Sequence, residues 1–244
     1  MTTKGTVAGI TSNLVTVQVA GPVSPHEICS VRLGDVAMMA EVITITGDKA
    51  YVPVFASTRG LTIGSEVEFQ QHMLEATLGP GILSSSYDGL QNNLETMTGV
   101  FLKRGEYTAP LDETKKWDFK PLAKLGDTVI AADWLGEVKE NWLPHKIMVP
   151  FKFQGEYTIK WLAGEGSYTI KDKIAVLTDG EGIDHEVQMA QKWPIKLSIT
   201  AYKEKPRPIK IMETGVRVID TFNPIAEGGT GFIPGPFGSG KTVL

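Results

Sequence analysis

Eight consecutive residues, Gly235-Pro236-Phe237-Gly238-Ser239-Gly240-Lys241-Thr242, fit the pattern G-x-x-x-x-G-K-[ST]. Each fixed position has a physical job. Glycines let the backbone wrap closely, so that successive N–H groups face inward at phosphate oxygens. Lys241 brings a compact positive charge to the β- and γ-phosphates, and the Thr242 hydroxyl is suited to ligate the Mg²⁺ that bridges them. Gly235, Pro236, Phe237, Gly238, Ser239, Gly240, Lys241, Thr242 and the following Val243 are therefore the candidate nucleotide-binding residues. Lys241 and Thr242 are the candidate catalytic pair, with Thr242 the metal contact through the nucleotide.

Such a loop needs a strand to deliver it and a helix behind it whose free N–H groups add positive potential. Thr230 to Pro234 is the expected strand, and Thr242, Val243 and Leu244 are compatible with the start of the helix. Upstream, Thr214 is expected to cap a short helix through Phe222 that Pro224 restricts, and Gly228-Gly229 makes a turn.

The rest of the chain reads mainly as strands. Val15, Val17 and Val19 alternate with Thr16 and Gln18, the pattern of a strand with one buried face. Glu41 to Thr46 and Lys49 to Phe55 are β-rich runs joined by Gly47-Asp48, a connection suited to a hairpin; Gly34-Asp35 and Gly64-Ser65 punctuate similarly. Short strands at this spacing predict a small β-barrel over residues 1–70, closed so that its edges are paired. Leu90, Leu94, Met97 and Phe101 then fall at helical spacing. Asp88 is a fitting cap, Lys103 and Arg104 suit the last turn, and Gly105 can end the helix, so residues 71–110 are expected to be a connecting segment carrying a helix. Residues 111–189 read as a second β-rich module, with Lys146 to Phe153, Gly155 to Leu162 and Ser167 to Leu177 as candidate strands. Pro194, Pro206 and Pro208, among Lys203, Lys205, Arg207 and Lys210, mark an extended connector within residues 190–244.

Composition removes several function classes. A net charge of −4 over 244 residues gives no basic surface for a nucleic-acid backbone. Cys29 is the single cysteine, so no internal disulfide or multi-thiolate metal site can form. No stretch has the continuous apolar length of a membrane span, and membrane association is expected only through partners. Asp179, Glu181, Asp184 and Glu186 crowd together, but Ile183 stands where a calcium loop needs an oxygen ligand, so a solvated turn is expected. His26, His72, His145 and His185 lack zinc-site spacing and are expected at surface or packing positions.

The loop and several upstream motifs resemble the catalytic A subunit of V-type and A-type rotary ATPases. Gly-Pro-Phe-Gly-Ser-Gly-Lys-Thr is similar to the A-subunit form of the loop, with Phe237 the telling residue. Thr214 to Phe222 with Pro224, Gly228 and Gly229 resembles the family's approach to it; Gln191-Lys192-Trp193-Pro194, Leu78 to Leu83 and Tyr87 to Gln91 resemble further signatures. The resemblance implies an N-terminal β-barrel, a β-rich bulge insertion at residues 111–189, and at residues 190–244 the beginning of a RecA-like α/β P-loop domain, the chain being an N-terminal fragment. It implies ATP or ADP with Mg²⁺ as cofactors. It also implies an A3B3 ring in which A alternates with B subunits, contacts with central-rotor and peripheral-stalk subunits, and a peripheral place at the cytoplasmic face of a membrane. The implied activity couples ATP hydrolysis or synthesis to proton or sodium transport. The implied catalytic glutamate, magnesium-organising aspartate and adenine-stacking aromatics have no counterpart here, so the chain alone is expected to be inactive. Two other readings are a docking module acting through barrel and bulge, and another RecA-like hexameric ATPase such as an F-type β subunit or a secretion ATPase.

Overall fold

The computed structural model describes residues 2–83, 85–97, 99, 101–202 and 204–243. Among them the chain is mainly β, with one short helix. It divides into two compact units, Met1–Ala201 and Tyr202–Leu244.

The first unit begins with β1 (Lys4–Thr11), β2 (Leu14–Val19), β3 (Glu27–Leu33), β4 (Val36–Glu41), β5 (Thr44–Thr46), β6 (Lys49–Pro53) and β7 (Glu66–Met73). They form one antiparallel sheet in the order β4-β3-β7-β1-β2-β6-β5. The sheet rolls up until Ala40 in β4 bridges to Val54 just beyond β6, and Phe55 N–H donates to Met39 C=O at 3.0 Å. This pairing protects edges that would otherwise present free backbone groups. Val7, Val15, Val17, Val31, Val52, Val67 and Phe69 fill the interior. The expected Gly47-Asp48 hairpin is present, with Thr46 opposite Lys49 and Gly47 at φ +61°. Burial pushes the Cys29 thiol up to about 12, aided by the nearby Glu27 charge, so it stays a protonated packing group at neutral pH.

From the barrel the chain enters β8 (Glu75–Leu78) and, much later, returns through β17 (Gln191–Pro194), which pairs antiparallel with β8 from Gln191↔Leu78 to Pro194↔Glu75. Between them lie β9 (Lys116–Pro121), β10 (Thr128–Val129), β11 (Trp134–Glu140), β12 (Leu143–Met148), β13 (Tyr157–Leu162), β14 (Gly166–Thr169), β15 (Lys173–Thr178) and β16 (Asp184–Gln188). They form two four-stranded antiparallel sheets, β12-β11-β9-β14 and β10-β13-β15-β16. Both sheets feed both of the module's cores: Phe119, Val138 and Ile147 pack with Ile174, and Leu135 packs with Ile159, Leu177 and Val187. The run Ser167 to Leu177 is two strands rather than one, because Asp172 turns the chain by accepting Thr169 N–H at 2.7 Å. Lys146 to Phe153 is strand only as far as Met148, and Phe153 N–H instead closes a turn onto Pro150 C=O at 3.0 Å.

The helix expected from Asp88 to Arg104 is absent among the described residues; Thr98 and Val100 lie outside them. Local side chains claim the backbone instead. Asp88 accepts N–H bonds from Leu90 at 2.9 Å and Asn92 at 2.8 Å, and Gln91 sits at φ +61°, outside the right-handed helical region. The Gln91 amide accepts from Thr77 N–H at 2.7 Å and donates to Thr77 C=O at 2.8 Å, giving β8 an added strand-like partner. Buried Asn92 accepts Thr108 N–H at 2.9 Å. The segment then lies against the barrel: Tyr107 OH accepts Met39 N–H at 2.7 Å, and Arg104 donates to Arg59 C=O at 2.6 Å.

Gly105 makes that approach possible. Its φ is +68°, and an added Cβ would sit 2.5 Å from Val36 Cγ1 and 3.1 Å from Ala37 O. Gly105→Ala is expected to cost about 1–3 kcal/mol through strain and overpacking, read as a lower urea midpoint. An unchanged midpoint would show that the segment does not lean on β4.

The second unit contains α1 (Arg217–Phe222). Its N-cap is Val216, not Thr214, and no side chain caps it. Thr214 Oγ1 instead donates to Asp220 Oδ1 at 2.6 Å while Gly215 N–H donates to Asp220 Oδ2 at 3.0 Å, which spends the threonine on a staple across the turn. A short bridge, Ile211↔Ala226, joins the segments on either side of the helix. The strand expected at Thr230 to Pro234 does not form, since no described strand pairs with it and a lone strand leaves its backbone groups unmatched. Of the expected helix start, residues 241–243 form a turn closed by Val243 N–H on Gly240 C=O at 3.0 Å; Leu244 lies outside the described residues, as does Lys203 of the connector.

Candidate functional site

The second unit brings the loop residues together as a compact curl. Gly238 and Gly240 adopt φ +82° and +81°, a left-handed backbone that glycine enters without the Cβ penalty of other residues. At Gly235 an added Cβ would meet the Ser239 side chain, which would have to turn away. Ser239 N–H closes the curl on Pro236 C=O at 3.3 Å. The Lys241 ammonium folds back onto the Gly235 carbonyl and donates to Pro236 O at 3.1 Å, so the positive charge sits inside the curl. Phe237, Thr242 and Val243 are exposed, with no described partner fixing the Thr242 hydroxyl. Such a curl can offer its one ammonium to an anion, part of the chemistry that phosphate groups require. Thr242 is the loop residue whose hydroxyl would hold Mg²⁺, which would supply neutralising charge beside such phosphates.

The acidic run and His145 have partners within the fold. Asp179 accepts N–H bonds from Glu181 at 3.0 Å and Ile183 at 2.9 Å and pairs with His185 at 2.8 Å, so the acidic run is a self-bonded turn. His145 pairs with buried Glu140 at 2.5 Å. The other Glu140 oxygen accepts Gly81 N–H at 2.7 Å and Leu83 N–H at 3.0 Å. Glu140 thus fixes the Leu78 to Leu83 segment from within the inserted module.

A second buried carboxylate ties the barrel to the segment that follows β17. Glu41 Oε1 is bound by Lys196 Nζ and lies 2.9 Å from His26 Nδ1. Burial alone would raise the Glu41 pKa, but the hydrogen bonds and charges of Lys196 and His26 outweigh it and hold the carboxyl below its ordinary value. A carboxyl depressed in the folded state contributes stability above its unfolded pKa and loses it as pH falls through the folded one. Glu41→Gln is therefore expected to lower Tm at neutral pH and to match the parent in acid below the folded pKa. A gap that stays constant with pH would show that the ion pair contributes nothing. Neither the hold of Glu140 on Gly81 and Leu83 nor the Glu41–Lys196 pair was legible from sequence, because each joins residues far apart along the chain.

Two family models match the chain. Residues 7–70 match the ATP synthase alpha/beta family, beta-barrel domain, and residues 108–196 match the ATP synthase alpha/beta subunit barrel-sandwich domain. The first range covers most of the seven-stranded barrel, and the second spans the paired four-stranded sheets. The V-type ATP synthase alpha chain of Borrelia duttonii is 47% identical over 247 aligned residues, covering 100% of this chain and 43% of that protein. The alpha chain of Borreliella burgdorferi is likewise 47% identical with the same coverage, and that of Borrelia garinii is 46% identical. The chain spans less than half the length of the curated relatives it matches. No helix among the described residues is long and apolar enough to cross a membrane.

Proposed function

We propose that the chain is part of a V-type ATP synthase alpha chain and that Gly235 to Val243 hold the phosphates of ATP or ADP with Mg²⁺. In the longer protein this site would serve ATP hydrolysis or synthesis coupled to proton or sodium transport. The observation that carries the reading is the loop: a glycine curl with two left-handed residues and an inward ammonium, in a chain 47% identical to those relatives along its whole length.

On this reading Lys241 orients the β- and γ-phosphates, the loop N–H groups take up negative charge, and Thr242 ligates the metal. Residues that orient an attacking water are not among those brought together here, so the 244 residues by themselves are proposed to turn over no ATP. The partners on this reading are B subunits in an alternating ring, with rotor and peripheral-stalk subunits beyond them, and a peripheral position on the cytoplasmic face of a membrane. Phosphate release from ATP is the test. The purified 244-residue chain should show none above buffer, whereas a full-length chain containing these residues, assembled with its B subunit, should show Mg²⁺-dependent turnover. Lysine-dependent turnover by the short chain would overturn the first half, and an inactive assembled complex the second.

A further inference from the structure

We propose that His26, Glu41 and Lys196 form a proton-operated latch that fastens residues 195–200, the stretch leading out of β17, to the barrel and slackens when His26 takes up a proton. The three groups come from separate parts of the first unit. Glu41 ends β4 and is 7% exposed. His26 stands just before β3, pinned by its own N–H, which donates to Val42 C=O at 2.7 Å. Lys196 follows the last residue of β17 by two positions. Glu41 Oε1 takes the Lys196 ammonium and lies 2.9 Å from His26 Nδ1, and that Nδ1 is 3.0 Å from the same ammonium. Residues 195–200 are exposed, so packing gives them little anchorage. Past Ile195, whose N–H donates to Leu74 C=O at 3.0 Å, the Lys196 side chain carries the hold on the barrel.

One atom of this triangle, His26 Nδ1, cannot serve both neighbours. Bare, it accepts an N–H from Lys196; protonated, it donates to Glu41 and has no lone pair left for the ammonium. A neutral ring places its hydrogen on either nitrogen, whereas the imidazolium carries one on both. A proton taken from solvent therefore breaks the hydrogen bond between Lys196 and His26 and directs the ring N–H to Glu41. Charge acts in the same sense. Carboxylate and ammonium cancel while the ring is neutral, but an imidazolium leaves two cations, 3.0 Å apart, competing for one carboxylate oxygen. Lys196 is the one that yields, because its four-carbon stem is flexible and its backbone is exposed, while His26 is held by its own N–H. Other titratable groups nearby are engaged elsewhere. The Glu27 carboxylate in β3 accepts Ser24 N–H at 2.9 Å and Gln71 N–H at 2.7 Å, and His72 in β7 donates to Met73 C=O at 2.8 Å.

The inference does not rest on the nucleotide reading, and the stretch contains its own probe: Trp193 Nε1–H donates to the carbonyl of Leu197, the residue after Lys196, at 2.8 Å. The ¹⁵N-labelled 244-residue chain is titrated from about pH 8 to about pH 5, the range in which histidines change charge. Two readouts are followed: the Trp193 Nε1–H resonance, assigned by its loss in Trp193→Phe, and the His26 ring resonances, assigned by their loss in His26→Asn. Asparagine is chosen because His26 has φ +67°, a left-handed backbone that asparagine tolerates. The expected result is that the Trp193 resonance moves along a one-proton curve sharing the midpoint of the His26 ring, towards the position it holds throughout in Lys196→Met. It should stay at its pH 8 position in His26→Asn, and the buried Trp117 indole should not move with it in the parent. A Trp193 resonance that is flat with pH, that titrates at a midpoint other than that of His26, or that titrates unchanged in His26→Asn would overturn the proposal. The two curves of the parent chain decide the matter even if that variant does not fold.

Discussion

Lys241→Ala is expected to lower ATP turnover of the full-length, assembled protein by about 10²–10³-fold, the order seen when one fixed electrostatic donor is removed from a transition state. The reason is local. Lys241 supplies the one ammonium within the curl, held there by the Gly235 and Pro236 carbonyls, and no other cation is placed among Gly235 to Val243. Phosphoryl transfer depends on position and charge stabilisation, so neighbouring side chains cannot make up that loss. Lys241→Arg is a sharper probe than alanine, because it keeps the charge but replaces a compact ammonium with a planar fork. Arginine should recover little of the rate. Turnover within a few-fold of the parent in either variant would remove the loop from the chemistry.

Phe119→Ala is expected to be the most damaging single change in the inserted module, at about 3–5 kcal/mol. Phe119 is fully buried, at 0% exposure, and its ring lies over Gly136 of the neighbouring strand so closely that a Cβ there would collide with it. Tyr168 meets the same ring edge-on at 6.2 Å between centroids. Removing the ring leaves a void that Gly136 has no side chain to fill, which is why relaxation should recover little of the cost. The barrel has its own core around Phe69, so amide exchange should quicken in β9, β11 and β14 while β1 to β7 keep their protection. A loss below about 1 kcal/mol, or one spread evenly over both cores, would contradict this division.

The barrel was legible because each signal in it is local: Val15 and Val17 alternate with polar neighbours, and Gly47-Asp48 sits where a two-residue hairpin needs it. The helical stripe of Leu90, Leu94, Met97 and Phe101 misled for the complementary reason. Its spacing is right, but the segment lacks a face to bury: Phe101 is 85% exposed, and Asp88, Gln91 and Asn92 gain more by bonding to Thr77, Thr108 and their own loop. Periodicity reports what a helix would bury, and competition from side-chain amides and carboxylates decides whether the helix forms. The glycine loop was legible as a pattern, since each fixed residue type answers a stereochemical need. Its expected delivering strand was not realised, because a strand depends on partners that no local pattern specifies. Glu140 and the pair Glu41–Lys196 left no sequence signal for the same reason, joining residues far apart along the chain.

The ribbon of β8 and β17 makes the inserted module behave as a cassette. The pairing of β8 with β17 holds the two ends of the intervening chain side by side, at the spacing of adjacent strands of about 4.8 Å. A two-residue turn joining Leu78 to Gln191 would therefore close the ribbon as a hairpin, with the loss of the Arg104 and Tyr107 contacts on the barrel. Foreign domains whose termini lie equally close could be mounted on the same ribbon, making β8 and β17 a socket for grafting as well as a connection.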